Sequence, residues 1–153
     1  MPEESLQSLM REAIFWKPLL YTSIGMFVIT ILLIFISPFL AAMMSFAILT
    51  LWSRIPAMLT RFTKDLDVGD FFSVMIAINL GGFEGAAFGT LSLWFSRIFS
   101  TVEPFEATIE DSIAFLIWVP VMPFFFDLWG GNTIFTMYTF TILRHTTHTL
   151  LAF

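Results

Sequence analysis

Long apolar runs separated by short polar segments make up most of this chain. Within the runs the apolar residues are continuous, whereas the strands of a transmembrane β-barrel alternate apolar and polar positions over about ten residues. A helix needs about 20 apolar residues to cross a hydrocarbon core about 30 Å thick. The pattern therefore predicts an all-α fold, that of a polytopic helical membrane protein.

The first two apolar runs are separated only by Ser37 and Pro38. The first run covers 18–36, and Pro18 suits a helix start because its missing N–H would be unsatisfied there anyway. The second run covers 39–52. A tight helical hairpin is one interpretation of this pattern. The other is a single helix kinked at Pro38, since membrane helices tolerate proline.

The apolar segment 71–99 could form one helix or two. A single helix would be roughly 43 Å long at about 1.5 Å per residue, which exceeds the membrane thickness unless the helix tilts strongly. Adjacent glycines at Gly81 and Gly82 favour a break between two helices. Glu84 would then lie in the first turn of the second helix and Arg97 in its last turn, where the helix dipole favours these charges.

A fifth span is predicted at about 112–129, with Thr108 or Asp111 as its N-cap. Pro120 and Pro123 predict a kink or a broken turn within it.

A glycine-rich turn at 130–132 and a sixth span at about 133–150 complete the division. With six spans, all seven basic residues fall on one side of the membrane. They are Arg11, Lys17, Arg54, Arg61, Lys64, Arg97 and Arg144. Because basic residues near span ends stay on the cytoplasmic side, both termini are predicted to be cytoplasmic and the turn at 130–132 external.

The domain organisation follows from this division. Residues 1–17 combine charges with apolar residues at helical spacing, which predicts an interfacial N-terminal segment. Their acidic residues argue against a cleaved signal peptide. Residues 18–153 are predicted to form a single six-helix transmembrane domain.

Composition agrees with a lipid environment. Hydrophobic residues make up 58% of the chain, charged residues only 12%, and Phe occurs 20 times. Soluble domains carry about 25% charged residues. The sparse basic residues argue against nucleic acid as a partner, and the absence of Cys excludes disulfides and thiolate chemistry.

Small residues recur at every fourth position through the segment that contains the glycine pair. They are Ser73, Ala77, Gly81, Gly85 and Gly89. Such a stripe lets helix backbones approach closely in a membrane, so it predicts helix packing. A second hypothesis is that this region forms one wall of a ligand cavity, with Asn79 and Glu84 pointing into it.

Glu84 and Asp127 are ionisable groups near the outer ends of their predicted spans. They could reach interfacial water, or they could bind a cationic or hydrogen-bonding ligand in an outward-facing pocket. Trp129, Asn132 and Tyr138 could add stacking and hydrogen bonds. The tentative ligand-binding residues are Asn79, Glu84, Asp127, Trp129 and Asn132.

His145 and His148 lie three residues apart on the sixth span, so both could face a metal together with an acid such as Asp127. The spacing matches no established zinc motif, and histidines at a membrane boundary are usually interfacial, so no metal site is predicted. The sequence contains neither a nucleophile and base pair nor a phosphate-binding loop. We therefore expect no enzymatic activity and no cofactor.

Residues 66–99, LDVGDFFSVMIAINLGGFEGAAFGTLSLWFSRIF, resemble the hallmark region of substrate-capture S components of energy-coupling-factor (ECF) transporters. In that family a Gly-Asp pair opens a short helix, and glycines before and within the next helix allow tight packing. The positions that match are Asp70, Gly81, Gly82, Gly85 and Gly89. The segment is also similar to the rod-shape-determining MreD membrane proteins.

The S-component resemblance implies capture of a vitamin-type small molecule from outside, with partner ATPases and a coupling membrane subunit, in a prokaryotic cell membrane. It transfers no ligand-binding residue. The first span lacks the alanine-spaced docking motif of many S components, since only Ser23 and Gly25 are small in PLLYTSIGMFVITILLIFI. The alternative hypothesis is a non-catalytic scaffold or accessory subunit of a larger membrane complex, as the MreD resemblance implies.

Overall fold

A computed structural model describes residues 2–59, 68–99 and 105–151. Over these residues every regular element is helical, which confirms the all-α fold class. The elements are α1 (Pro2–Ile36), α2 (Pro38–Leu59), α3 (Val68–Asn79), α4 (Gly82–Phe99), α5 (Phe105–Trp118), a 3₁₀ turn (Val119–Val121), α6 (Met122–Leu128) and α7 (Thr133–Leu151). Within this part of the chain, two helical stretches are long and apolar enough to cross a membrane, Lys17–Ile36 and Phe105–Leu128.

The chain divides into two compact units, Met1–Ile48 and Leu49–Phe153. In the first unit, Pro18 lies inside α1, so the predicted helix start at this proline is wrong. A proline inside a helix removes one backbone hydrogen bond, and the flanking turns continue because the other bonds remain. The apolar part of α1 is largely exposed, as shown by Phe35 at 84% and Ile36 at 78%.

Only Ser37 separates α1 from α2. Its N–H donates to the Leu33 carbonyl over 2.7 Å, and its own carbonyl accepts the Ala41 N–H over 3.1 Å. Both bonds have the spacing of an α-helix, and Pro38 is the residue that cannot donate. Neither bond crosses Ser37, whose hydroxyl oxygen accepts the Leu40 N–H over 3.4 Å at the start of α2. The break between the two helices therefore lies where it was predicted, and both the hairpin and the kinked helix stay predictions.

Among the described residues of the second unit, the helices α3 to α7 pack on one another. α3 packs on α4, α4 on α5, and α7 on both α5 and α6. Their core consists of Val74, Ala77, Ala86, Leu93, Phe115, Val119, Met122 and Phe140. The start of α3 lies beside the second half of α7, where Asp70 meets Arg144, and the last turn of α4 lies beside the first half of α5, where Arg97 meets Thr108.

The glycine pair divides α3 from α4, as predicted. Leu80 and Gly81 form the turn, and Gly81 adopts a φ of 146°, which is open to glycine and strained for other residues. Glu84 lies in the first turn of α4 and Arg97 in its last turn. Both predicted charge positions are confirmed.

The predicted break at Pro120 and Pro123 is also confirmed, because the helix changes to a 3₁₀ turn between α5 and α6. The predicted caps are wrong, since Thr108 and Asp111 lie inside α5. The helix begins earlier, at Phe105, whose ring packs edge-on against Trp94 with centroids 5.6 Å apart.

The turn before α7 has the predicted position and a clear local cause. Gly130 and Gly131 have φ angles of 62° and 80°. The side-chain oxygen of Asn132 accepts the N–H groups of Ile134 at 3.0 Å and Phe135 at 3.2 Å, which caps the helix. α7 then runs from Thr133 to Leu151, close to the predicted bounds of the sixth span.

Candidate functional site

The face between α3 and α4 depends on residues without large side chains. A Cβ atom added to Gly85 would lie 2.6 Å from the Ala77 Cβ. One added to Gly89 would lie 2.6 Å from the Ser73 hydroxyl oxygen and 2.5 Å from the Phe115 ring. The structure thus brings four residues of the small-residue stripe together. The fifth, Gly81, lies in the turn that connects the two helices.

Three of the tentative ligand-binding residues form hydrogen bonds to residues that are near them in the sequence. The Asn79 amide donates to the Met75 carbonyl one turn earlier over 2.8 Å. The Trp129 indole donates to the Thr139 hydroxyl over 3.1 Å, and Asn132 caps α7.

The two acidic residues of that set are exposed and distant in sequence. Glu84 folds back over its own turn, since a Cβ added to Gly81 would lie 3.0 Å from the Glu84 carboxyl carbon. Asp127 is exposed near the end of α6. Tyr138 lines a shallow open groove on α7. The other lining residues are Phe71, Thr133, Ile134, Met137 and Thr141.

A group of charged side chains joins three helices at one end of the second unit. We call it the ionic cluster, and its members are Asp70 of α3, Glu110 and Asp111 of α5, and Arg144 and His148 of α7. Arg144 donates to Asp111 Oδ1 from Nε over 2.8 Å and from Nη2 over 2.7 Å. Its Nη1 donates to Asp70 Oδ2. One guanidinium therefore holds both α3 and α5 against α7.

His148 occupies the rim of the ionic cluster. Its Nδ1 lies 2.9 Å from Glu110 Oε2, and its Nε2 lies 2.7 Å from Asp111 Oδ1. The side chains of His148 and Glu110 are 28% and 27% exposed, whereas that of Asp111 is 5% exposed. Solvent thus reaches the histidine and the glutamate, while the aspartate behind them is buried.

Further side-chain hydrogen bonds lie around the ionic cluster and join α4 to α5 and α5 to α7. The Trp94 indole donates to the Ser112 hydroxyl over 2.9 Å, and the Trp118 indole donates to the Thr147 hydroxyl over 2.7 Å. Arg97 donates to Thr108. These contacts satisfy polar groups that would be costly to leave unpaired away from water.

The aromatic ring of Phe115 connects the ionic cluster to the glycine face. The Arg144 guanidinium carbon lies 5.8 Å from the ring centroid, within the range of a cation–π contact. The Cδ1 and Cε1 edge of the ring fills the space that Gly89 leaves open. The side chain is 2% exposed and belongs to the core.

The sequence analysis did not predict the ionic cluster, although two signals for it were present. Arg144 and His148 lie four residues apart, so they share one face of α7. Asp70 and Asp111 lie near the starts of the predicted third and fifth spans. The six-span division puts these two starts on the same side of the membrane as the end of the sixth span.

The histidine pair does not form the hypothetical metal site. His145 is exposed, and His148 contacts Glu110 and Asp111 instead. Across the described ranges, no group of three or more His, Cys, Asp or Glu side chains is arranged to hold a metal ion.

The charged and small residues described above define an all-helical protein with a glycine-mediated helix pair and an ionic cluster at one end. No protein-family model matches the chain, and neither curated proteins nor solved structures give a significant match. Functional arguments therefore start from the residues themselves.

Proposed function

We propose that this chain is a multi-pass integral membrane protein with six spans and cytoplasmic termini. The two membrane-length stretches and the shorter apolar helices Pro38–Ser53 and Val68–Asn79 support this proposal. So does the ionic cluster, which gathers groups that the six-span division assigns to the cytoplasmic side. The proposal requires the chain to reverse at Ser37 and Pro38, where α1 ends and α2 begins.

Within that topology, we propose that the protein is a substrate-capture subunit of a small-molecule transporter, similar to S components for vitamin-type compounds. The observation that carries this proposal is the geometry of the α3 and α4 pair. Asp70 lies in the first turn of a 12-residue helix, and a glycine turn leads into α4. Gly85 and Gly89 then allow close packing. These are the structural features that the family resemblance implies for residues 66–99.

A second candidate function is a non-catalytic scaffold or accessory subunit of a larger membrane complex. It is favoured by the local use of polar groups at Asn79, Trp129 and Asn132, which are spread over separate elements. The exposed apolar side of α4 could contact either lipid or another subunit. It includes Phe83 at 82%, Leu91 at 70% and Ile98 at 72% exposure.

Native mass spectrometry of the protein extracted gently from its own membrane separates these functions. We expect a reproducible small-molecule adduct on the protein, or copurified ATPase and coupling subunits. A similarly sized, unrelated membrane protein from the same membranes is the control for adventitious lipid and detergent adducts. A stoichiometric assembly with unrelated membrane subunits and no adduct would reject the transporter function and support the accessory role.

A further inference from the structure

Both ring nitrogens of His148 face carboxylate oxygens, Glu110 Oε2 at 2.9 Å and Asp111 Oδ1 at 2.7 Å. A neutral imidazole has one N–H donor and one acceptor nitrogen, and an ionised carboxylate only accepts. A neutral ring between two ionised carboxylates would satisfy one contact and put two lone pairs against each other in the second. The geometry therefore requires one additional proton.

The contacts of Asp111 locate that proton. Its Oδ1 also accepts from Arg144 Nε and Nη2, at 2.8 and 2.7 Å. Arginine stays charged and only donates, and two charge-assisted bonds to one oxygen favour the ionised form of Asp111. His148 Nε2 must then donate to the same oxygen. The additional proton belongs to the remaining pair, His148 Nδ1 and Glu110 Oε2.

We propose that His148 Nδ1 and Glu110 Oε2 form a proton-binding site whose occupancy holds α7 against α5. Through Arg144 and its bond to Asp70, the same contact also stabilises the position of α3. The site lies at the rim, where both side chains are more than a quarter exposed, so its proton exchanges with solvent directly. The buried Asp111 carboxylate behind it supplies the fixed negative charge.

Charged groups from each neighbouring helix act on this site. They are Arg144 on α7, Asp111 and the exposed Glu106 on α5, Asp70 on α3, and Arg97 near the end of α4. Asp127 of α6 lies beside the turn that precedes α7, at the other end of that helix. The carboxylates favour the bound proton, whereas the guanidinium of Arg144 opposes it.

The proton between His148 and Glu110 determines how pH changes the contact between α5 and α7. With the proton bound, both His148 contacts form and the ends of α5 and α7 stay together. When rising pH removes the proton, the Nδ1 and Oε2 lone pairs repel, and the contact opens.

Spin-label distances between α5 and α7 test this proposal. The chain has no Cys, so Ile109→Cys and Leu150→Cys provide two unique labelling positions on exposed residues. We expect a narrow distance distribution at about pH 5.5 and a broader or longer one at about pH 9, where a free imidazole is neutral.

Two variants in the labelled background sharpen the test. Glu110→Gln replaces the carboxyl with an amide whose N–H can donate to neutral Nδ1, so distances should stay narrow at both pH values. His145→Gln removes the exposed neighbouring histidine and should preserve the pH effect. Distances in the parent protein that do not change with pH would overturn the proposal, as would a Glu110→Gln variant that still opens at high pH.

A second measurement uses the unlabelled protein. Nitrogen-15 NMR of its histidines and carbon-13 NMR of Glu110 at about pH 7.5 report where the proton lies. We expect either a doubly protonated His148 ring or a protonated Glu110. A neutral ring beside an ionised Glu110 would reject the proton-binding site.

Discussion

At the scale of single residues, the strongest constraint falls on the glycines that face α3. Gly85 has the Ala77 methyl and the α3 backbone within its own side-chain space, so no larger residue fits without moving a helix. Backbone atoms cannot rotate away as a flexible side chain would. The close approach of α3 and α4 therefore depends on glycine at position 85, because its side chain is only a hydrogen atom.

We expect Gly85→Ala to lower the free energy of unfolding by about 1–3 kcal/mol, because overpacking forces the two helices apart. Gly25→Ala is the matched control, since nothing lies within 4 Å of the Cβ it would add. Alanine should be neutral or stabilising there, because it favours helix more than glycine does. Thermal or denaturant unfolding in detergent micelles measures both variants, and equal stability losses would contradict the packing argument.

The four-residue spacing of small residues was enough to predict the face on which α3 and α4 pack. The spacing alone does not place Gly81 in the turn, because a period of four continues unchanged across a helix break. The adjacent glycines at Gly81 and Gly82 predicted this break correctly. The ionic cluster was harder to predict. Arg144 contacts residues 74 and 33 positions earlier in the chain, and such pairings follow from how helices pack, which local periodicity does not determine.

At the scale of helices, Arg144 is the residue that ties three of them together. Its side chain is 20% exposed and its partner Asp111 is 5% exposed, so the pair is largely removed from water. Removing one partner of such a pair leaves an uncompensated buried charge, which costs more than removing both. A variant that lacks only one partner is therefore expected to be less stable than a variant that lacks both.

We expect Arg144→Met to lower the free energy of unfolding by about 3–5 kcal/mol. Adding Asp111→Asn to this variant should restore part of the loss, because the stranded carboxylate becomes neutral. Unfolding of the single and double variants in the same detergent tests the order. A double variant less stable than Arg144→Met would show that the buried charge is not the main cost.

The helix boundaries show what local sequence does and does not determine. Glycine and proline chemistry correctly placed the break between α3 and α4 and the 3₁₀ turn between α5 and α6. Local chemistry failed at Pro18 and at the start of α5. The helix continues through Pro18. At α5, the helix includes Phe105, whose ring packs on Trp94, and so extends past the predicted caps.

At the scale of the whole molecule, membrane topology is the property to test first. Topology reporters fused at the N-terminus, at residue 132 and at the C-terminus should show only the middle position outside the cell, because the basic residues then all lie inside. A reporter at residue 37 checks the required reversal and should also be external. An external C-terminus would reject the six-span proposal.

The Phe115 ring connects the packing contact at Gly89 on α4 to the charged side chain of Arg144 on α7. One edge of its ring fills the gap at Gly89, and the Arg144 guanidinium lies over its face. The ring is also packed against Phe140, with centroids 5.7 Å apart, so it has little room to turn aside. A movement of α4 toward α5 would therefore press the rigid Phe115 ring against the Arg144 guanidinium. A movement of the two helices away from each other would remove this packing contact from the guanidinium.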